Sequence, residues 1–537
     1  MARRKTGRNV RRTTPEAGRS MKGSAGRAPV GQMMTPGEGA AMAAAAGLAE
    51  AREPRPYRTR YPIPDADFVR FKERARTAKL PKGKATLIAD SARKQAEPAA
   101  TAGAPRVAEV AMAPASAPTL SGGFAGIAAT GWIPPDCTMA AGPEHVLLSV
   151  NSSVAIYPKA GGAPLLSRTL TQWFANVVQD LTIFDPKALY DQHDRRWVLL
   201  AVAFTESAPK RSVFLLSVSE SANLLGQWRN YVLDAMVDGK KKTKNWADYP
   251  AIGVDDDALY LTANMFAFGG DFQYAKIRVV PKKGPYSGGP APFVDFVRMK
   301  NSDASLAFTI QPCHTFGAPK VEYLVNTPYP DGKSLTLWRI TNPATPALTR
   351  ASVPISAFSL PPNAEQSGGA PPLNTGDVRV LHAVFRGDSL WAAFTTRRNW
   401  GAGNRASIHW VQVRAAVNAL VQEGVYGARD RHYFYPAACP DNNGNLLMVF
   451  SSSARSQFGS IGLTGRRSTD PLGSLQSSTL IKSGVAHYQA LDGGGRNRWG
   501  DYTGVAADPA NTRVVWFYNE FASAADTWGT WVGAASF

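Results

Sequence analysis

Four aspartates, Asp136, Asp185, Asp248 and Asp501, each stand at the start of a short apolar strand, and their recurrence is the chain's best hint of chemistry. If those strands lie side by side around one axis, the carboxylates converge on a common mouth. A hard cation such as Ca2+, which accepts six to eight oxygens, could bridge such a ring. The same carboxylates could instead accept hydrogen bonds from nearby backbone N–H groups and fix the strand starts. Three arginines, Arg379, Arg431 and Arg498, lie just before or at further strand starts, and a guanidinium fork can grip a carboxylate bidentately. Tyr518 and Glu520 are two residues apart on a strand and therefore share a face. Tyr249, Trp499 and Tyr502 flank the same starts, with Trp132, Trp246 and Tyr435. Planar rings around a concave mouth suit sugar stacking, and they equally suit packing between sheets.

A repeated unit must position these residues. Its clearest copies are Asp248-Tyr-Pro-Ala-Ile-Gly-Val, a turn at Asp255-Asp-Asp, then Ala258-Leu-Tyr-Leu-Thr-Ala-Asn; and Asp501-Tyr-Thr-Gly-Val-Ala-Ala, a turn at Asp508-Pro-Ala-Asn, then Arg513-Val-Val-Trp-Phe-Tyr-Asn. Strand starts fall in register at Asp136, Asp185, Asp248, Gln311, near Leu381, Tyr435 and Asp501. A spacing of about 60 residues is that of a propeller blade with long outer loops. The expected fold is an all-β, seven-bladed β-propeller of four-stranded sheets, with six or eight blades if the weak fifth unit is misread. The stretch Gly122-Gly-Phe-Ala-Gly-Ile-Ala-Ala is placed to supply a strand that closes the ring.

The net charge of +19 is unevenly spread: residues 1–100 hold 22 Lys and Arg against 9 Asp and Glu, and the rest hold 38 against 32. Residues 1–120 are rich in Arg, Ala, Pro and Gly, a composition that buries too little surface to fold, so a mostly disordered basic tail and Ala/Pro linker are expected. A short basic helix is predicted at 65–79, begun by the capping Asp65. The propeller domain is expected over 121–537. The tail (Arg3, Arg4, Lys5, Arg8, Arg11, Arg12) and the loop Lys240–Lys244 could hold a polyanion by charge alone. Cys137, Cys313 and Cys439 are too few and too scattered for a disulfide framework and read as buried packing residues. No span approaches the roughly 18 apolar residues of a membrane helix, and the charged opening lacks the apolar core of an ordinary secretory signal. Phosphate loops, Gly-x-Ser-x-Gly elbows and His-Glu-x-x-His metal motifs are missing.

At Pro134–Val146, Asp248–Val254 with Tyr260–Phe266, Thr464–Gly473, and Arg498–Gly504 with Tyr518–Phe521, the chain resembles poorly characterised bacterial β-propeller proteins of the sialidase superfamily. The resemblance spans about residues 130–537 and implies a sialidase-like propeller, extracellular or at the cell surface, without an established reaction. Blades of that superfamily often carry an Asp-box turn, Ser-x-Asp-x-Gly-x-x-Trp. Ser468-Thr-Asp-Pro-Leu-Gly473 and Ser221-Ala-Asn-Leu-Leu-Gly-Gln-Trp228 look like degenerate copies. A sialidase site would need the arginine cluster for the sugar carboxylate and Tyr518 with Glu520 as nucleophile and partner. No complete catalytic constellation is legible. The leading expectation is therefore a monomeric, non-catalytic propeller that binds a glycan or protein partner at its channel face. A sialidase-type glycoside hydrolase and a polyanion-binding structural protein are the alternatives. No cofactor is required, and Ca2+ is the one candidate ion.

Overall fold

Aspartate-led turns divide the apolar runs into antiparallel meanders. Asn245–Val254 pairs with Ala258–Ala267 across a turn in which Asp255 Oδ1 accepts the N–H groups of Asp257 at 2.9 Å and Ala258 at 2.8 Å. Asp441 does the same for Asn443 and Asn445 at 2.8 and 2.9 Å, and Asp508 for Ala510 and Asn511 at 2.8 and 2.9 Å. A short acidic side chain that satisfies the turn's own donors lets the chain reverse without orphaned backbone groups.

The computed structural model describes residues 21–25, 31–34 and 117–537, apart from 271 and 493–494. Its meanders begin with Thr138–Ala141, Thr182–Asp191, Asn245–Val254, Gln311–Pro312, Val380–Arg386, His432–Pro440 and Gly504–Ala507, each the first of at least four antiparallel strands. These first strands contact one another in succession, and Gly504–Ala507 contacts Thr138–Ala141, so they form a closed inner ring. The glycine-rich stretch Thr119–Ala125 pairs antiparallel with Thr527–Ser536 and supplies the last sheet's outer strand, as the sequence suggested. This is an all-β propeller.

The expectation of seven separate four-stranded sheets needs correction. The described residues form six sheets of four or more strands and one two-stranded ribbon. Two meanders merge into a ten-stranded sheet because His314–Thr315 pairs in parallel with both Asn245–Val254 and Val380–Arg386. The tail also contributes strands. Met21–Lys22, Ser24–Ala25 and Gln32–Met34 pair with the outermost strands Ala347–Ser359, Val294–Val297 and Trp228–Asp234. Gly23 permits that approach: a Cβ there would lie 2.1 Å from Val294 Cγ1. The predicted helix at 65–79 and the tail arginines lie outside the described residues. Within the loop Lys240–Lys244, Lys241–Lys242 forms an exposed ribbon with Val237–Asp238.

The core is radial. Trp173, Trp197, Leu215 and Trp228 fill the space between the first two meanders, and Phe204, Phe214, Trp246 and Leu261 fill the next. All three cysteines are free and buried, as expected. The Ser221–Trp228 turn is held by Asn223 Oδ1, which accepts the Leu225 N–H at 3.1 Å, and by Trp228 Nε1, which donates to Leu224 O at 3.1 Å. In the other turn, Asp470 Oδ2 accepts the Arg467 N–H and Gln476 Nε2, each at 2.8 Å.

Candidate functional site

Bulges in the inner strands set the site. Asp185, Tyr249 and Tyr435 sit where the ladder register shifts, each with left-handed φ (50°, 54° and 49°) and each followed by proline. Proline has no N–H to donate, so the pairing breaks there and the preceding residue turns toward the axis. Asp136 (φ 57°) and Gly500 (φ 52°) share the conformation at the other starts. This corrects the sequence register by one residue at two places: Tyr249 and Gly500, not Asp248 and Asp501, hold the left-handed positions.

A buried polar hub results. Asn151 Nδ2 donates to Asp136 Oδ2 at 2.6 Å and to Pro134 O at 3.0 Å, while its Oδ1 accepts the Asp185 N–H at 2.8 Å. Asp185 Oδ2 accepts the Tyr249 N–H at 3.2 Å and the Tyr502 hydroxyl at 3.3 Å. Tyr249 donates its hydroxyl to Asp501 O at 3.0 Å, and its ring lies 4.5 Å from that of Tyr502. The Lys187 Nζ sits 3.0 Å from the centre of the Tyr502 ring. Burial pulls the Lys187 pKa down to about 7, against the opposing pull of Asp185, Asp136 and Asp501.

Three of the four predicted aspartates thus meet around one lysine. Asp248 is also buried but sits in the ladder opposite Asn264. Among the described residues no three His, Cys, Asp or Glu side chains are grouped to hold a metal ion. The carboxylates are instead engaged by Asn151, Tyr502 and, for Asp501, Arg498 at 2.9 Å, with the Lys187 ammonium as the nearby positive charge.

The arginines do not all converge. Arg379 makes two bonds to Asp377, at 2.8 and 2.6 Å, and lies 4.2 Å over the Tyr249 ring. Arg498 and Arg379 both act on Tyr435, whose pKa burial drives well up. Arg431 instead pairs with Asp430 at 3.4 Å, with more than a third of its side chain exposed. Tyr518 and Glu520 are fully buried on Val515–Ala524, a second strand of its sheet and not an inner one. Burial raises the pKa of both, so Glu520 is held toward its neutral form. Trp499 is fully buried too, bonded to Ser451 Oγ at 3.1 Å and edge-on to Tyr488, a packing role and not a sugar platform.

The channel itself holds a cavity of about 440 Å3 lined by inner-strand residues. Lys187, Gln192, His314, His382 and Arg386 face it; of these the sequence reading noted only His382, as a structural histidine near a strand start. His314 Nε2 donates to Gln192 Oε1 (2.7 Å) and its ring stacks on Phe316 at 4.6 Å, while Arg386 covers Phe316 at 3.6 Å. Burial lowers His382 to about 4, and the Lys187 charge adds to the effect. One signal was available. Lys187 stands two residues after the left-handed Asp185, where other starts carry the smaller Thr138, Ala251 and Ala437.

No protein-family model matches the chain, and no curated protein matches it. Solved structures similar to it include the Dos1 propeller (10% identity, 78% of this chain and 95% of that chain, TM-score 0.36). A mutant of Trypanosoma rangeli sialidase displaying trans-sialidase activity is also similar (10%, 65% and 53%, TM-score 0.32), as is an endo-arabinase from Bacteroides thetaiotaomicron (12%, 66% and 93%, TM-score 0.29). At such TM-scores these likenesses carry no inference about function. The propeller assignment rests on the chain's own strand order and closed inner ring.

Proposed function

We propose that this protein is a non-catalytic ligand-binding β-propeller that takes a glycan at its channel face. The observation that carries the reading is the channel cavity of about 440 Å3, within the range of roughly 300–1,000 Å3 usual for small-ligand sites. Its donors come from two meanders, Lys187 and Gln192 from the one that begins at Thr182–Asp191 and Arg386 from the one that begins at Val380–Arg386. A concave site of this size suits a sugar unit better than the face of a protein partner.

The hydrolase reading finds less support. Glycoside hydrolysis commonly uses two carboxylates flanking the bond to be cut. Asp508 is the carboxylate lining this cavity, and Lys159 at 2.6 Å and Trp516 Nε1 at 2.8 Å already engage it.

The test is binding of free neutral and acidic oligosaccharides with intact reducing ends, by isothermal titration calorimetry, with wild type and His382→Trp compared. The bulky indole fills the channel, so affinity should fall by at least tenfold while the melting temperature shows the variant folded. Equal capture by a folded His382→Trp would move the site elsewhere.

A further inference from the structure

We propose that Lys187 is the reactive group of the channel cavity and captures the open-chain aldehyde of a sugar reducing end as an imine. This rests on reading the cavity as the ligand site, and it adds the chemistry by which the ligand is held.

The geometry is that of an available amine. Lys187 is half-buried, lines the cavity, and makes no hydrogen bond or ion pair among the described residues. Its Nζ rests on the Tyr502 face at 3.0 Å, with the Tyr249 ring 5.9 Å away. The charged and titratable groups around it are Asp185 on its own strand, Asp136 and Asp501 from neighbouring strand starts, and His382 from across the channel. Burial outweighs the three carboxylates, and a pKa of about 7 leaves about half of the amine neutral at pH 7. An exposed lysine near 10.4 is neutral in roughly one molecule in two thousand at that pH, so Lys187 offers roughly a thousandfold more free nucleophile.

His382 lines the same cavity. Its Nδ1 lies 3.2 Å from Ala438 O, which can only accept, so Nδ1 carries the proton and Nε2 keeps a free lone pair. With its pKa near 4, the ring is neutral at pH 7 and can relay a proton.

The step balances without an oxidant or reductant. The Lys187 nitrogen lone pair forms a bond to the aldehyde carbon, the C=O π pair moves to oxygen, and a proton passes from nitrogen to that oxygen. The carbinolamine then loses water: His382 Nε2 takes the remaining N–H proton and delivers it to the departing hydroxyl as C–O breaks and C=N forms. Hydrolysis reverses the sequence, so capture is reversible.

The test treats the full chain with limiting glycolaldehyde and sodium cyanoborohydride, then maps hydroxyethylated lysines by peptide mass spectrometry. The proposal expects Lys187 to be modified ahead of exposed Lys240, Lys241 and Lys242, with a rate that is half-maximal near pH 7. His382→Ala should slow the Lys187 reaction at least tenfold, and Lys187→Arg should abolish that peptide's label. Labelling confined to the surface lysines, or a Lys187 rate that keeps climbing toward pH 10, would overturn it. The two readings fail separately: an unreactive Lys187 with glycan capture still lost in His382→Trp removes the imine and leaves the cavity as a binding site. A reactive Lys187 with capture unchanged in that variant removes the glycan reading alone.

Discussion

Tyr502 donates its hydroxyl to Asp185 at 3.3 Å although 317 positions of sequence separate them. Such a bond forms only if the inner strands of distant meanders share an axis, so it is a direct product of ring closure. Each partner also serves another neighbour, Asp185 through the Tyr249 N–H and Tyr502 through the Lys187 ammonium.

Removing one side of that bond should be measurable in stability. Tyr502→Phe is expected to lower unfolding free energy by about 1–2 kcal/mol, and Asp185→Asn by somewhat more because a charged acceptor is lost. In a double-mutant cycle the two changes should be non-additive by more than about 0.5 kcal/mol. Strict additivity in chemical denaturation would mean the two side chains do not meet.

Asn151 is the joint between Asp136 and Asp185, with three hydrogen bonds from one side chain. Asn151→Ala should cost about 2–4 kcal/mol, since it strips a buried carboxylate and a backbone N–H of their partner together. Denaturant melts of the variant against Ser152→Ala, a half-buried neighbour, provide the comparison.

The hub's carboxylates are already engaged by Asn151, Tyr502 and Arg498, so chelation should do nothing. EDTA is expected to shift the melting temperature by less than about 1 °C. A large fall with EDTA, reversed by Ca2+, would restore the metal reading.

Acid should weaken the fold through its histidines. Burial lowers His382 and His432 to about 4 from an ordinary 6.5, so the unfolded chain binds protons in that interval that the folded chain does not. The stability they contribute is present above pH 6.5 and is lost as pH falls toward 4, by roughly 1–3 kcal/mol each. Unfolding midpoints for wild type and His382→Gln between pH 7 and 4 should converge as the pH drops.

Much of the scaffold was legible, because Asp255, Asp441 and Asp508 announce turns and Asp-Pro or Tyr-Pro marks the bulges. Convergence of Asp136, Asp185 and Asp501 followed from the repeat. What sequence spacing could not place was direction. A bulge shifts alternation by one residue, which exchanged Asp248 for Tyr249, while Tyr518 and Glu520 lie on a second strand behind the inner ring. Lys187 went unremarked because a lone lysine in a strand reads as exposed until the neighbouring meanders enclose it. The added outer strands, such as Met21–Lys22, are too short to carry any periodicity, and their partners lie hundreds of residues away.

Those edge strands invite a deletion. Removing residues 1–35 should bare the outer edges of Ala347–Ser359, Val294–Val297 and Trp228–Asp234 and the pocket that buries Met34. Exposed edges recruit other chains, so light scattering on heating should rise earlier than in the full chain.

Hydrogen–deuterium exchange with and without a free oligosaccharide that the protein binds tests the central claim most directly. Ligand at the channel face should slow exchange in peptides covering 187–192, 311–317, 381–387 and 503–508, which come together only at the cavity. Protection confined to the outer strands or to the exposed Lys240–Lys244 loop, with those four segments unchanged, would contradict it.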